Sequence, residues 1–160
     1  MIDRQYPATR LRRLRQADWS RRMIAETRLT PNDLIWPVFV IEGDNQRQAI
    51  SSMPGVERIS IDLCVQAAKQ AAKLGIPAIA LFPNTPDSAR DDLGTEAFNA
   101  DNLVCRATRA IKDSLPDIGI MCDVALDPYT AHGHDGLMDG DEIVNDATIE
   151  ALVKQSLNQV

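Results

Sequence analysis

Residues Asp62–Phe82 read D-L-C-V-Q-A-A-K-Q-A-A-K-L-G-I-P-A-I-A-L-F, and they decide the fold class. Leu63, Ala67, Ala71 and Leu74 recur at helical spacing as one apolar stripe, while Asp62, Gln66, Lys69, Gln70 and Lys73 form the opposite face. Gly75 ends the helix, Pro77 blocks its continuation, and Ala78–Phe82 switches to a continuous apolar run of strand length. Upstream, Leu34–Ile41 (L-I-W-P-V-F-V-I) is rich in β-formers and bounded by turn residues, so it reads as a strand buried on both faces. Pro37 within it cannot donate to a ladder, which predicts a bulge or an irregular start. Ser52–Val56 (S-M-P-G-V) is a turn by composition. Downstream, Ala97–Leu115 reads as a helix with Leu103, Val104, Ala107 and Ile111 inward. Ile118–Val124 reads as a third strand, and the chain from about Asp146 to Gln159 as a helix with Ile149, Leu152 and Val153 inward. The order β-α-β-α-β-loop-α argues an α/β fold with a parallel sheet and right-handed crossovers. Periodicity alone does not separate a doubly wound sheet from a barrel.

Composition narrows the class. The chain has 160 residues with 44% hydrophobic and 25% charged content, enough for one soluble domain with a core. No apolar run approaches the roughly 20 residues that span a bilayer, and the N-terminus has no secretory pattern. No G-x-G-x-x-G follows a strand, so nucleotide binding has little support. Cys64, Cys105 and Cys122 are odd in number and lack metal-ligand spacing, which reads as reduced, mostly buried thiols in the cytoplasm. Charge is uneven. Residues 1–28 carry Arg4, Arg10, Arg12, Arg13, Arg15, Arg21, Arg22 and Arg28 against Asp3, Asp18 and Glu26, in a chain whose net charge is −6. Such an arm suits nucleic acid, an organelle transit peptide, or the acidic body of a neighbouring subunit. Only Tyr6 and Trp19 interleave the arginines, thin for base stacking, so the subunit arm is the preferred reading and neither nucleic acid nor membrane is an expected partner. The expected organisation is an arm over residues 1–30 and an incomplete (β/α) domain over residues 31–160. Three parallel strands would leave edges open, so the chain reads as the N-terminal part of something longer.

The chemistry is concentrated in Asp123–Gly136, D-V-A-L-D-P-Y-T-A-H-G-H-D-G. Both histidines of the chain lie here, just past a strand, where α/β enzymes build sites. His132 and His134 with Asp127 and Asp135 offer a nitrogen and oxygen donor set. The aspartates alone are hard ligands that suit magnesium far better than zinc. The alternative is that these carboxylates accept backbone N–H bonds and the histidines are hydrogen-bonded loop residues. Asp123 differs because it ends an apolar strand. A carboxylate there points into the mouth of a barrel or cleft, the environment of an acid, base or ammonium partner.

At this loop the chain resembles the porphobilinogen synthase (δ-aminolevulinic acid dehydratase) family. The pattern runs in order through R-L-R-R-L-R at Arg10–Arg15, L-T-P-N-D-L-I-W-P-V-F-V at Leu29–Val40 and S-M-P-G-V-E-R at Ser52–Arg58. It continues through L-V-C-R-A-T-R-A-I-K at Leu103–Lys112, the loop Asp123–Gly136 and N-D-A-T-I at Asn145–Ile149. The resemblance implies a (β/α)₈ TIM barrel with an N-terminal arm that embraces a neighbouring subunit in a homo-oligomer, usually an octamer. It implies condensation of two 5-aminolevulinate molecules to porphobilinogen, with loss of two waters, in tetrapyrrole and haem synthesis. Zinc-dependent members hold the metal through three cysteines in this loop, where this chain has Ala125, Asp127 and Asp135. The resemblance is therefore to the aspartate-rich, non-zinc branch, with magnesium or no active-site metal, and Asp127 and Asp135 are the candidate metal ligands. Asp123 matches a family aspartate that lines the substrate site.

In the family two lysines form Schiff bases with the substrate ketones. The lysines here, Lys69, Lys73, Lys112 and Lys154, all fall on polar faces of expected helices and none at a strand end. The resemblance places the catalytic lysines in the second half of the barrel, so this chain is expected to be an N-terminal fragment, inactive alone. Two other readings compete. One is a metal-dependent hydrolase using His132 and His134, and the other is a non-catalytic assembly module using the arginine arm.

Overall fold

A computed structural model describes residues 5–160, so Asp3 and Arg4 of the arginine-rich arm lie outside the described residues. The chain divides into two units between Thr30 and Pro31. The first contains a turn of 3₁₀ helix at Arg13–Arg15 and helix α1, Asp18–Ile24. The buried Ser20 hydroxyl ties the two by donating to the carbonyls of Leu14 and Ala17, each at 2.9 Å. Asp18 pairs with Arg22 at 3.0 Å and Arg21 at 3.6 Å, on exposed side chains where such pairs contribute little.

The second unit is built on a five-stranded sheet of order β2-β3-β1-β4-β5. Its strands are β1 (Ile35–Ile41), β2 (Arg47–Ala49), β3 (Glu57–Ser60), β4 (Ala78–Pro83) and β5 (Gly119–Cys122). All neighbours are parallel except β2 with β3, which form an antiparallel pair around the expected Ser52–Val56 turn. Helix α2 (Ile61–Lys73) crosses from β3 to β4, and α3 (Leu103–Ser114) crosses from β4 to β5. Both helices pack on one face. Leu63, Cys64, Ala68 and Ala71 of α2 join Leu103, Ala107 and Ile111 of α3 over Val38, Val40, Ile79 and Leu81. Alternation sends Pro37, Phe39, Ala80, Phe82 and Met121 to the other face. Helices on a single face are the barrel arrangement, in which the second face lines the interior, and this resolves the choice that periodicity left open. No helix among the described residues is long and apolar enough to cross a membrane.

Of the strand expected to be buried on both faces, Val38 and Val40 are buried within these 160 residues, while Ile35 is 48% exposed and Phe39 half-buried on the face that helices leave uncovered. Pro37 causes no bulge. The Val40 carbonyl accepts from Asn84 on the β4 side, so by alternation Pro37 faces the β3 side, where the ladder begins only at Phe39. Its missing N–H therefore costs no ladder bond. The sheet also has two more strands than expected, because β2 and β3 are short and half polar. The helix expected from Ala97 starts at Leu103 instead, after a 3₁₀ turn at Thr95–Phe98. The buried Asn102 side chain caps it, accepting from the Cys105 N–H at 2.8 Å. Leu74, expected in the α2 stripe, ends that helix and is exposed.

A second core forms around the loop after β5. Leu126, Tyr129, Ala97 and Ala151 are buried together, with Phe98, Leu137 and Leu152 against them. Beyond it lie a small hairpin of β6 (Met138–Asp139) and β7 (Glu142–Ile143) and helix α4 (Asn145–Gln159). Here the expected inward face holds for Leu152 and fails for Ile149 and Val153. Thr148, Ala151 and Gln155 are buried, Leu152 is half-buried, and Ile149 and Val153 are exposed. The polar residues face inward because backbone groups receive them. Thr148 Oγ1 accepts from the Leu137 N–H and donates to the Val144 carbonyl, and Gln155 donates to the Ala125 carbonyl.

Candidate active site

Strand β5 carries Met121 on the open face, so two residues on Asp123 leaves the sheet toward the same side. There it lines a cavity of about 230 Å³ at the carboxyl ends of β1, β4 and β5. Phe39 and Phe82 make one wall, with ring centroids 5.7 Å apart. Arg58, Asp127 and Tyr129 complete the mouth. Arg58 is half-buried and has no ion pair among the described residues. Aromatic walls with a few charged groups at strand ends suit a small polar molecule. A larger hollow of about 420 Å³ lies between β1, the β2–β3 hairpin and α2. Its one acid–base pair, Arg47 and Glu57, is spent on itself at 3.0 Å, whereas the smaller cavity holds charged groups unpaired among the described residues and is the candidate site.

The loop is held from several directions. Asp135 Oδ1 accepts from the Leu126 N–H at 2.6 Å. Thr130, buried, donates to the His134 carbonyl at 2.9 Å. The loop after β4 pairs alongside, with the Ala131 N–H donating to the Asp91 carbonyl at 2.9 Å. Asp91 itself is organised by the Leu93 and Thr95 N–H groups, each at 3.0 Å, and by the Thr95 hydroxyl. These donors, the Thr95 hydroxyl first, hold its carboxyl below the usual carboxylate range.

The three aspartates are not equivalent. Asp123 and Asp127 line the cavity, while Asp135 anchors the loop backbone. The Asp127 carboxyl lies above its ordinary range, first because neighbouring atoms exclude water and then because Asp135 and Asp123 add negative charge, against the pull of Arg90. The side chain as a whole remains exposed, so this shift belongs to a carboxyl whose local surroundings, rather than full burial, set its charge. Asp123 is likewise exposed in the mouth, not buried.

His132 and His134 stand together with ring centroids 5.4 Å apart. The His134 N–H donates to His132 Nδ1 at 3.1 Å, and His132 Nε2 lies 3.3 Å from the Asp92 carbonyl. Nδ1 therefore accepts and Nε2 carries the proton, which engages both ring nitrogens in loop structure. Neither histidine lines the cavity. Among the described residues no three His, Cys, Asp or Glu side chains are placed to share a metal ion. Ala125 is buried and offers no ligand atom. The thiols are free, and burial aided by the Asp62 charge pushes Cys64 up to about 12.

The four lysines are exposed on helices and none lines the cavity. Lys112 donates to the carbonyls of Pro116 and Ile118, at the opposite end of β5 from Asp123. Sequence reading missed Phe39, Phe82 and Arg58 as cavity residues and Gln155 as a buried support of the loop. Phe82 ends an apolar strand and Arg58 closes the S-M-P-G-V-E-R motif, so both carried a signal. Gln155 carried none.

Comparison with known proteins places this arrangement. The family model described as Delta-aminolevulinic acid dehydratase matches residues 8–160. A delta-aminolevulinic acid dehydratase of Bradyrhizobium diazoefficiens is 58% identical over 152 residues, covering 95% of this chain and 43% of that protein. One from Synechocystis is 42% identical over 158 residues, covering 96% of this chain and 48% of that protein. The crystal structure of the Toxoplasma gondii delta-aminolevulinic acid dehydratase in complex with the reaction product porphobilinogen superposes with a TM-score of 0.88 at 37% identity, over 94% of this chain and 43% of that one. The α/β fold here thus matches the N-terminal part of a TIM barrel, and the chain spans less than half the length of the relatives it matches.

Proposed function

The chain belongs to the delta-aminolevulinic acid dehydratase family, and from that premise we propose that it builds the first part of a porphobilinogen synthase active site. In this reading two 5-aminolevulinate molecules condense to porphobilinogen, and the Schiff-base lysines come from outside these 160 residues. The observation that carries it is Asp123, aimed from the end of β5 into an aromatic-walled mouth that no lysine of this chain lines. A Schiff-base amine must be partly desolvated and must reach the ketone, and an exposed helix lysine meets neither condition. Asp123 is the substrate-site carboxylate. An anion there attracts the ammonium of the substrate and holds the amine close to a reacting carbonyl.

The non-zinc assignment is part of the same proposal. Zinc calls for soft donors, and the loop supplies the Ala125 methyl and the Asp127 and Asp135 oxygens. Asp127 and Asp135 are the hard donors that magnesium would meet, but one Asp135 oxygen is already committed to the Leu126 N–H. The described residues alone therefore do not assemble a metal site. The homo-oligomer, an octamer by family, assembles through the arm. Tyr6, Leu11, Trp19 and Met23 are 64–87% exposed on the first unit, an apolar surface suited to burial against another subunit. The free thiols support a cytoplasmic setting.

The test is incubation of the purified chain with 5-aminolevulinate, followed by a colorimetric porphobilinogen assay and by borohydride trapping with mass spectrometry. Neither product nor a reduced lysine adduct is expected. An adduct on Lys69, Lys73, Lys112 or Lys154, or product above background, would overturn the division of labour.

A further inference from the structure

The pairing of β5 with β4 stops at Cys122, so the carbonyls that follow lose their sheet partners just where the site begins. Helix α4 supplies replacements. The Gln155 side chain, wholly buried, donates from Nε2 to the Ala125 carbonyl at 2.9 Å and to the Asp123 carbonyl at 3.5 Å. Gln159, one turn further on, donates to the same Asp123 carbonyl at 3.1 Å. Gln155 Oε1 has no hydrogen-bond partner among the described residues, and the same side chain also stands against the Tyr129 hydroxyl, so this amide is held through its N–H group. A buried amide that leaves its oxygen unpaired is a poor core filler, and its contribution here lies in what the N–H group holds. Fixing the Asp123 carbonyl fixes that residue's ψ, and with it the direction in which the side chain leaves the backbone.

We propose that Gln155 is a positioning residue for Asp123, holding the carboxylate in the mouth through the backbone of residues 123–125. The inference rests on reading Asp123 as the substrate-site carboxylate. Gln159 supports it from the partly exposed end of the helix. The arrangement explains why α4 turns Gln155 inward while Ile149 and Val153 face out.

The test uses nuclear magnetic resonance on the full 160-residue chain and its variants Gln155→Met, Gln159→Met, Asp123→Ala and Gln155→Met/Asp123→Ala. The first readout is the side-chain carboxyl ¹³C resonance of Asp123, with Asp117, at the other end of β5, as control. Gln155→Met should move the Asp123 resonance and leave Asp117 in place, and Gln159→Met should move it less. An unmoved Asp123 resonance overturns the proposal. If Gln155→Met does not fold, Gln155→Asn, which keeps a buried amide but shortens its reach to the Ala125 and Asp123 carbonyls, takes its place with the same expected shift at Asp123. The second readout is 5-aminolevulinate affinity from amide shifts at residues 123–129. Gln155→Met should weaken binding about tenfold, the scale of one lost oriented contact. The double variant should bind no worse than Asp123→Ala, because Gln155 acts through Asp123. Losses that multiply would mean that Gln155 acts elsewhere. Absence of binding by the unmodified chain would count against its binding substrate alone, while the carboxyl resonance would still decide the role of Gln155.

Discussion

Replacing Asp135 separates two roles that the loop assigns to one side chain. Its Oδ1 accepts from the Leu126 N–H at 2.6 Å, and Leu126 is wholly buried at the centre of the second core. Its charge also helps to raise the neighbouring Asp127 carboxyl. Asp135→Ala removes both. An unpaired buried N–H costs about 1–3 kcal/mol, so the loss should be about 2 kcal/mol, or roughly 4–8 °C in Tm for a domain of this size. Asp135→Asn keeps an acceptor oxygen and loses the charge, and its cost should be about half as large, since a neutral acceptor bonds less strongly. Both variants remove the same negative neighbour, so the Asp127 titration midpoint should fall in both by a similar amount. Urea unfolding gives the first pair of numbers, and carboxyl ¹³C titration gives the second. Equal destabilisation by Ala and Asn would mean that the hydrogen bond contributes nothing. An Asp127 midpoint unmoved in both variants would refute the electrostatic coupling.

Three further outcomes follow from the same structure. Asn102→Ala should destabilise by about 1–2 kcal/mol, because it removes the α3 cap and leaves the Cys105 N–H unpaired; Asn102→Asp should recover only part of that in urea unfolding, since it keeps the cap acceptor but loses the Nδ2 donor to the Glu96 carbonyl and buries a charge. Asp91 has a folded-state pKa below its ordinary value of 3.8, so its stabilising contribution is complete above that value and is lost as pH falls through the lower folded value. Asp91→Asn should therefore unfold with a shallower pH dependence below about pH 4, and an unchanged acid limb would contradict the assignment. Cys64 should resist thiol reagents at neutral pH until the chain unfolds, as burial and its raised ionisation require; rapid labelling in the native state would disprove this.

What was legible in the sequence follows from how each residue is satisfied. Helix α2 and strand β4 are plain because their inward residues are apolar and their outward residues polar. Helix α3 was right in its inward residues and wrong in its start, because the Asn102 cap was overlooked beside the 3₁₀ turn at Thr95–Phe98. Helix α4 misled because hydrogen bonds replace apolar burial: Thr148 and Gln155 are inside, bonded to backbone, while Ile149 and Val153 are outside. Pro37 looked like a fault only because the side of β1 that it faces could not be known without the register. The position of Asp123 past an apolar strand pointed to the cavity mouth that it lines. In the loop, one histidine is bonded through both ring nitrogens and one Asp135 oxygen to backbone, contacts that no spacing in the sequence announces. Phe39, Phe82 and Arg58 come from three separate strands, and only the parallel sheet brings them to one mouth.

The central claim is that these residues form the first part of a porphobilinogen synthase site. The most direct measurement is porphobilinogen formation by a chimera in which this chain replaces the matched segment of the Bradyrhizobium diazoefficiens relative, which is 58% identical to it over 152 residues. A folded chimera should convert 5-aminolevulinate to porphobilinogen at a rate near that of the parent relative, insensitive to zinc chelators, and Asp123→Ala should abolish turnover without unfolding it. A folded chimera that makes no porphobilinogen, or one indifferent to Asp123→Ala, would contradict the account.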